Sequence, residues 1–286
     1  MGVFLGLLAG FTYGAADFIG GLASRKSTVF AVVVISQLSG LALLLAGMPF
    51  LPAASPAPSD FLWGALAGIA GSVGIALLYR GLAIGRMSLV SPITAVIGAA
   101  VPFFVGLAIQ QRPAAAAIAG VVVALCAVVL VSSTDAPEPN HARRLQNWLA
   151  QPGLLEATLS GVGIGLFYVF LAHARPQSGM WPLAASRTAS SIILATVALA
   201  TRQNLLPSAG GWGPILGAGV LDMAANGSYL LATRHGLLAL VAVLASLYPA
   251  STVLLARIFL RERLSPLQMW GVGCALLAIA LITAGS

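Results

Sequence analysis

Two carboxylates interrupt long apolar stretches of this sequence, Asp17 and Asp222. Hydrophobic residues make up 59% of the chain and charged residues only 7%, so a charge within an apolar stretch is rare here. A carboxylate at bilayer depth costs several kcal/mol unless it is paired, protonated or hydrated. Each of these acids therefore indicates a site for an amine or a proton, or else an acid that snorkels or caps a helix from near a span end.

Polar side chains follow Asp222 at helical spacing. Asn226, Tyr229 and Thr233 lie four, seven and eleven residues further on, which places all four on one face of a helix. Such a stripe cannot face lipid at low cost, so it must line a water-filled cavity or join neighbouring helices. In the same way Tyr13 precedes Asp17 by four residues.

Aromatic and basic side chains extend this set of candidates. Tyr79 and Tyr168 join Tyr13 and Tyr229 as rings that could line a site for a flat or ammonium-bearing ligand, although a single tyrosine is as readily an interfacial anchor. His173, near the end of a span, is a coupling candidate beside Asp17 and Asp222. Arg187 lies about six residues into a span, where snorkelling to the nearer interface is the simpler interpretation.

Prolines within apolar stretches predict kinks. Pro92 and Pro102 lie in one stretch, and Pro249 lies in another beside Ser246 and Tyr248. A proline frees the carbonyl four residues earlier, which can bind a ligand or mark a hinge. We therefore treat the three prolines as hinge candidates and Ser246 as a lining residue.

Catalytic and metal-binding patterns are not found in the sequence. It contains no phosphate-binding loop with a lysine, no H-E-x-x-H and no G-x-S-x-G. Both cysteines, Cys126 and Cys274, lie in apolar runs, where small buried residues are the ordinary interpretation. We expect no catalytic residue, metal or cofactor, and no nucleic-acid partner, because the net charge of +7 is spread over short loops.

The apolar stretches predict an all-α membrane protein, since each is about 20 residues long and the mean hydropathy is +0.99. Ten spans are predicted near 3–23, 29–47, 61–83, 88–109, 114–132, 154–173, 181–201, 213–233, 237–258 and 266–284. The polar stretch around 134–152 divides them into two groups of five, and within it residues 143–149 could form a short interfacial helix or an ordinary linker.

The two groups are related in sequence. A shift of 151 residues places the GRMSLV segment at Gly85 on GLLALV at Gly236, and it pairs Arg112 with Arg263. Because each group has an odd number of spans, homologous groups must be inverted relative to each other. The predicted units are a first repeat at 1–134, a linker at 135–152 and a second repeat at 153–286.

Basic residues set the predicted orientation through the loops that hold them. Eight lie on the side of the linker and three on the other side, so we expect the first side in the cytoplasm and both termini outside it. The eight are Arg25, Lys26, Arg86, Arg143, Arg144, Arg202, Arg261 and Arg263; the three are Arg112, Arg175 and Arg234.

Three short motifs resemble those of a known family. They are LAGFTYG from Leu8, SLVSPIT from Ser88 and LRERLSPLQ from Leu260, the last at the start of the final span. On these the chain resembles the drug/metabolite transporter superfamily, specifically its EamA-type members. The resemblance implies export of a small metabolite, with a cavity lined by spans 1, 3, 4, 6, 8 and 9, and the nearest likeness is to exporters of aromatic amino acids.

We therefore expect a secondary transporter or facilitator for amino acids or similar metabolites in a bacterial inner membrane, working by alternating access of the two halves. Its partners would be the small-molecule substrate and the lipid bilayer, and the oligomeric state is open. The alternatives are a non-transporting membrane subunit and a lipid-linked sugar flippase. The predicted substrate-binding residues are Tyr13, Tyr79, Tyr168, Asp222, Asn226, Tyr229 and Ser246.

Overall fold

Helices make up all the regular structure in the part of the chain that the computed structural model describes, which is residues 1–24, 26–84, 87–109, 113–132, 152–208, 210–260 and 265–284. Lipid offers no hydrogen bonds, so a spanning segment must satisfy its backbone internally, as a helix does. The helices are α1 Gly2–Ser24, α2 Val29–Gly47, α3 Pro58–Ile84, α4 Met87–Ile109, α5 Ala115–Ser132, α6 Leu154–Ala172, α7 Trp181–Ala200, α8 Trp212–His235, α9 Leu238–Ala245, α10 Tyr248–Leu260 and α11 Pro266–Ala284.

Each predicted span coincides with one of these helices except the ninth, which is divided into α9 and α10. Six of the helices are long and apolar enough to cross a membrane by themselves, and four shorter apolar segments complete the set. The fold is therefore the predicted ten-span α-helical membrane protein with two inverted five-span repeats. The polar linker, with its alternative of an interfacial helix, lies outside the described residues.

The ninth span is interrupted between Ala245, where α9 ends, and Tyr248, where α10 begins, and Pro249 comes directly after this interruption. Proline has no N–H to donate to the carbonyl of Ala245, so the helical ladder cannot continue through this point. The Ser246 hydroxyl donates to the Val243 carbonyl at 2.8 Å and α10 begins anew at Tyr248. Of the three hinge candidates only Pro249 lies at an interruption, because α4 continues as one helix past Pro92 and Pro102.

Glycines of α1 let this broken span approach closely. A Cβ on Gly10 would lie 2.8 Å from the Leu244 carbonyl oxygen, and one on Gly14 would lie 2.5 Å from that of Tyr248. The Ala245 carbonyl oxygen, which Pro249 leaves without its helical donor, would lie 3.2 Å from the same Cβ on Gly10, so the break faces the backbone of α1. Gly6, Gly10 and Gly14, spaced by four residues, thus form a ridge that allows close helix packing.

The same packing recurs in the other half at the predicted shift of 151 residues. In one pair of equivalent contacts, Gly10 of α1 lies against Ala245 and Gly161 of α6 lies against Thr94. In a second pair, Gly14 lies against Thr252 and Gly165 lies against Val101. Whole helices follow the same rule. α1 packs on α8 as α6 packs on α3, and α2 packs on α8 as α7 packs on α3. The helices thus show a pseudo-two-fold arrangement.

The two repeats are interlocked. The most extensive packing partners, such as α1 with α8, α3 with α6 and α5 with α11, all join one repeat to the other. Eight spans close a ring in the order α4, α9–α10, α1, α8, α2, α7, α3, α6, and α5 with α11 packs outside it. We name α1, α2, α8, α9 and α10 bundle I, and α3, α4, α6 and α7 bundle II.

The ring has two ends, which we name the terminal face and the linker face. The terminal face holds the start of α1 at Gly2 and the end of α11 at Ala284. The linker face holds the end of α5 at Ser132 and the start of α6 at Leu154. Asp17 lies 15 residues into α1 and Asp222 lies 13 residues before the end of α8. At about 1.5 Å per residue, both are roughly 20 Å from the terminal face.

The close approach of α1 to the broken span predicts a specific sensitivity. Gly14→Ala should lower thermal stability in detergent by about 1–3 kcal/mol, because its Cβ would meet Tyr248 and Ser251 at 2.5 Å. Gly21→Ala in the same helix is the matched control, since a Cβ there meets nothing within 4 Å. Thermal unfolding followed by size-exclusion chromatography compares them, and equal stability of both variants would contradict this packing.

Candidate functional site

An ion pair between two membrane-spanning helices forms the centre of the candidate site. The Arg187 guanidinium on α7 donates to the Asp222 carboxylate on α8, and the two side chains are 8% and 34% exposed. Arg187 belongs to bundle II and Asp222 to bundle I, so the pair connects the bundles across the ring. Because a buried charge without a partner is costly, each of these residues accounts for the other.

The snorkelling interpretation of Arg187 is wrong. Its side chain is buried and paired rather than extended to an interface. A carboxylate within reach gives the guanidinium a partner that needs no contact with water, and α8 supplies it. The sequence did contain a signal for this ion pair, because Arg187 and Asp222 are oppositely charged and lie within consecutive apolar stretches of the second half.

The predicted polar stripe of α8 continues from the ion pair into a hydrogen-bonded chain. Asn226 donates its side-chain N–H to the Asp222 backbone carbonyl at 2.7 Å. The Tyr13 hydroxyl donates to the Asn226 Oδ1 at 2.9 Å. Both partners are buried, so the chain of contacts runs from α7 through α8 to α1. The structure thus brings together Tyr13, Asp222 and Asn226.

Three tyrosine rings lie beside this chain. Tyr168 and Tyr229 have ring centres 4.5 Å apart, and Tyr13 and Tyr168 meet edge to face at 6.2 Å. The Tyr229 hydroxyl donates to the Tyr168 carbonyl at 3.4 Å. All three are buried, and they join bundle I to bundle II on the terminal-face side of Asp222. We call Tyr13, Tyr168 and Tyr229 the tyrosine layer.

Asp17 lies one helical turn beyond Tyr13 and retains accessible surface in mid-span. Tyr13 and Gly14, one turn earlier on the same face of α1, contact α8 and α10, so this face is turned toward other helices of the protein. An exposed carboxylate on this helix face is available to bind a small molecule. Asp17 and Asp222 belong to two helices of the same bundle.

The other predicted residues are placed differently. Ser246 is buried at the break of the ninth span, with its hydroxyl on its own backbone. His173 ends α6 at the terminal face, where its ring centre lies 5.1 Å from that of Trp63, apart from the carboxylates. Tyr79 is within α3, but its side chain lies outside the described residues, as does that of Pro92.

A second charged contact closes the terminal face. The fully buried Asp60 carboxylate accepts from the Ala57 N–H at 2.8 Å and from the Arg175 backbone N–H at 3.0 Å. The Arg175 Nη2 adds a bond of 2.9 Å, and this partner raises the pKa of the guanidinium. Nearby, Arg234 of bundle I donates to the Gly179 carbonyl at 2.6 Å. Loops and helix ends are thus tied together below the tyrosine layer.

This arrangement offers complementary charges to a small ligand. The Asp222 and Asp17 carboxylates can accept N–H donors from an ammonium group, and the Arg187 guanidinium can donate to an anionic group. Tyrosine rings beside these charges offer apolar surface and favourable contact with a cation. These are the properties of a binding site for a small molecule that carries both charges.

Comparison with known proteins identifies a family model and solved structures that are similar to this chain. The sequence model of the EamA-like transporter family matches residues 1–133 and 151–284. No curated protein sequence matches the chain. Twenty-nine chains of solved structures match the fold. One of them, titled only "Crystal structure of protein", superposes with a TM-score of 0.78 over 97% of this chain and 98% of that chain. At 16% identity this likeness concerns the fold alone.

The ion pair predicts coupled stability effects. Arg187→Met and Asp222→Asn should each destabilise the protein in detergent, because each leaves a charge without its partner. The double variant should be less unstable than the sum of the two, by about 1–3 kcal/mol. Thermal unfolding of the four proteins measures this coupling, and strictly additive losses would show that the two side chains do not interact.

Proposed function

Because the chain belongs to the EamA-like transporter family, we propose that it exports amino acids, aromatic ones among them, across a bacterial inner membrane. Members of this family are membrane transporters of small molecules, and this chain shares that role. The proposed parts are the amino-acid substrate, the export direction and the bacterial inner membrane, and the candidate site supports them.

The ion pair in the interior is the observation that carries the proposal. An amino acid presents an ammonium and a carboxylate on the same carbon, and these groups match Asp222 and Arg187 in charge. A bound zwitterion would replace the contact between Asp222 and Arg187 with two contacts of its own, from its ammonium to Asp222 and from its carboxylate to Arg187. Asp17 supplies a second carboxylate for the ammonium, so the cationic end of the substrate would lie between α1 and α8.

The tyrosine layer supports a ring-bearing substrate. Its three rings offer an apolar wall beside the charged groups, and such walls orient flat side chains. Tyr79 and Ser246 complete the proposed lining. A substrate with a small apolar side chain would bury less surface against these rings, and we therefore expect aromatic amino acids to bind more tightly.

Alternating access would use the bundles as moving units. The repeats at 1–134 and 153–286, joined by the linker at 135–152, remain the proposed sequence units, but interlocked repeats cannot rock apart as bodies. Bundles I and II meet at the ion pair, the tyrosine layer and the Arg234 contact. We propose that these contacts open and close while the break at Pro249 serves as a hinge.

Proton coupling and the orientation of the protein in the membrane are the remaining parts of the proposal. Asp17 is the favoured coupling residue because its carboxylate is exposed in mid-span, whereas His173 at the terminal face is the second candidate. We propose that the linker face is cytoplasmic, as the loop charges favour. The tyrosine layer is then closed toward the periplasm, and the carboxylates are reached from the cytoplasm.

Transport by the purified protein tests this function. Proteoliposomes should accumulate labelled tyrosine or phenylalanine with saturable kinetics, and flux with and without a pH gradient would separate proton coupling from facilitation. Empty liposomes and liposomes with an unrelated membrane protein are the controls. If no amino acid is carried, the proposal fails, and weight moves to a lipid-linked sugar flippase or a non-transporting subunit.

Removing the charge of Asp222 provides a sharper test. Asp222→Asn should reduce tyrosine flux at least tenfold while the protein still elutes as folded, because the ammonium loses a charged acceptor. Glu156→Gln is the matched control, since Glu156 pairs with the exposed Arg80 at a helix end and such pairs contribute little. Unaltered flux through Asp222→Asn would remove this residue from the site.

A further inference from the structure

Two buried side-chain oxygens outside the predicted site have no hydrogen-bond partner among the residues that the structure describes. Within the described part of the chain, the Oε1 of Gln37 on α2 and the Oγ of Ser191 on α7 are buried without a partner. Their residues are 5% and 6% exposed. An unsatisfied buried polar group destabilises the fold, so two in one region call for an occupant that supplies the missing hydrogen bonds.

The packing of α2 on α7 places these two groups opposite each other. Val33 and Val34 of α2 form a cluster with Leu194 of α7. The helices run in opposite directions, so one turn toward the terminal face leads to Gln37 on α2 and to Ser191 on α7. The unpartnered groups therefore lie at the same depth, on the seam between bundle I and bundle II.

Ser191 also lies one turn from the ion pair. It follows Arg187 by four residues, so both occupy one face of α7. The neighbouring Ser190 differs, because its hydroxyl donates to the Arg187 carbonyl of its own helix at 3.2 Å. Other hydroxyls within spans, such as that of Thr188, are satisfied in the same way. Ser191 is thus a donor left available beside a guanidinium.

We propose that Gln37, Ser191 and Arg187 form the subsite for the carboxylate of the transported amino acid. This inference rests on the proposed function and deepens it, since it assigns the anionic end of the substrate. The Ser191 hydroxyl donates one hydrogen bond, and a half-turn of the Gln37 amide presents its N–H groups. Asp17 and Asp222 hold the ammonium, so the substrate spans the seam between the bundles.

Comparison of an amino acid with its decarboxylated amine isolates this subsite. Ser191→Ala and Gln37→Met should each raise the KM for tyrosine about tenfold, because each removes a hydrogen bond to a charged group. Inhibition of tyrosine flux by tyramine, which has the ring and the ammonium but no carboxylate, should keep the same inhibition constant. Ser190→Ala is the matched control and should alter neither value.

A charge placed in the subsite gives a second variant. Gln37→Glu should raise the KM for tyrosine more than Gln37→Met does, because a carboxylate there repels that of the substrate. Tyramine inhibition should be unimpaired, which also reports that the variant is folded.

The outcomes separate this inference from the proposed function. Normal tyrosine transport by wild type, with variants that alter tyrosine and tyramine equally or alter neither, overturns the subsite alone. Wild-type protein that carries no amino acid overturns the proposed function and the subsite with it.

Discussion

The structure depends on one constraint, which is that a lipid bilayer offers no partner to a polar group. Backbone groups meet this constraint by forming helices, and the helices then pack through close contacts instead of a hydrophobic drive. Glycines on α1 and α6 allow those contacts with the broken ninth span and with α4. The same constraint makes a buried charge costly without a partner, and Arg187 finds its partner in Asp222.

The scaffold repeats, but the chemistry does not. The glycine contacts of α1 with α9 and α10 recur in α6 with α4 at a shift of 151 residues. At the same shift Asp17 corresponds to Tyr168, Arg187 to Ser36 and Asp222 to Gly71. Packing thus follows the pseudo-two-fold arrangement, while the charged groups belong to one side of the ring. A site with distinct cationic and anionic ends can orient a substrate that a symmetric site would bind in two directions.

Interlocked repeats change how such a protein could move. Each repeat buries its surface mainly against the other, so separating them would expose most of the packed interior. The contacts that join bundle I to bundle II are fewer, and beside the apolar cluster of Val33, Val34 and Leu194 they include the ion pair and the bond from Arg234 to Gly179. Polar contacts can be exchanged for contacts with a substrate or with water, which packed glycine ridges cannot. Binding at the seam is therefore able to influence the relation of the bundles.

The sequence by itself determined the ten spans, their division into two inverted groups and the polar face of the eighth span, because these depend on hydropathy, parity and helical period along the chain. It also indicated the weak point at Pro249, since a missing N–H is a local property. Only the tertiary structure decided that Arg187 turns inward, that Tyr13 meets Asn226 and that, among the described residues, Gln37 and Ser191 each bury an oxygen without a partner. These contacts depend on which helix faces pack together. Apolar surfaces of similar composition do not specify the pairing of helices, which depends instead on how small residues fit between the backbones.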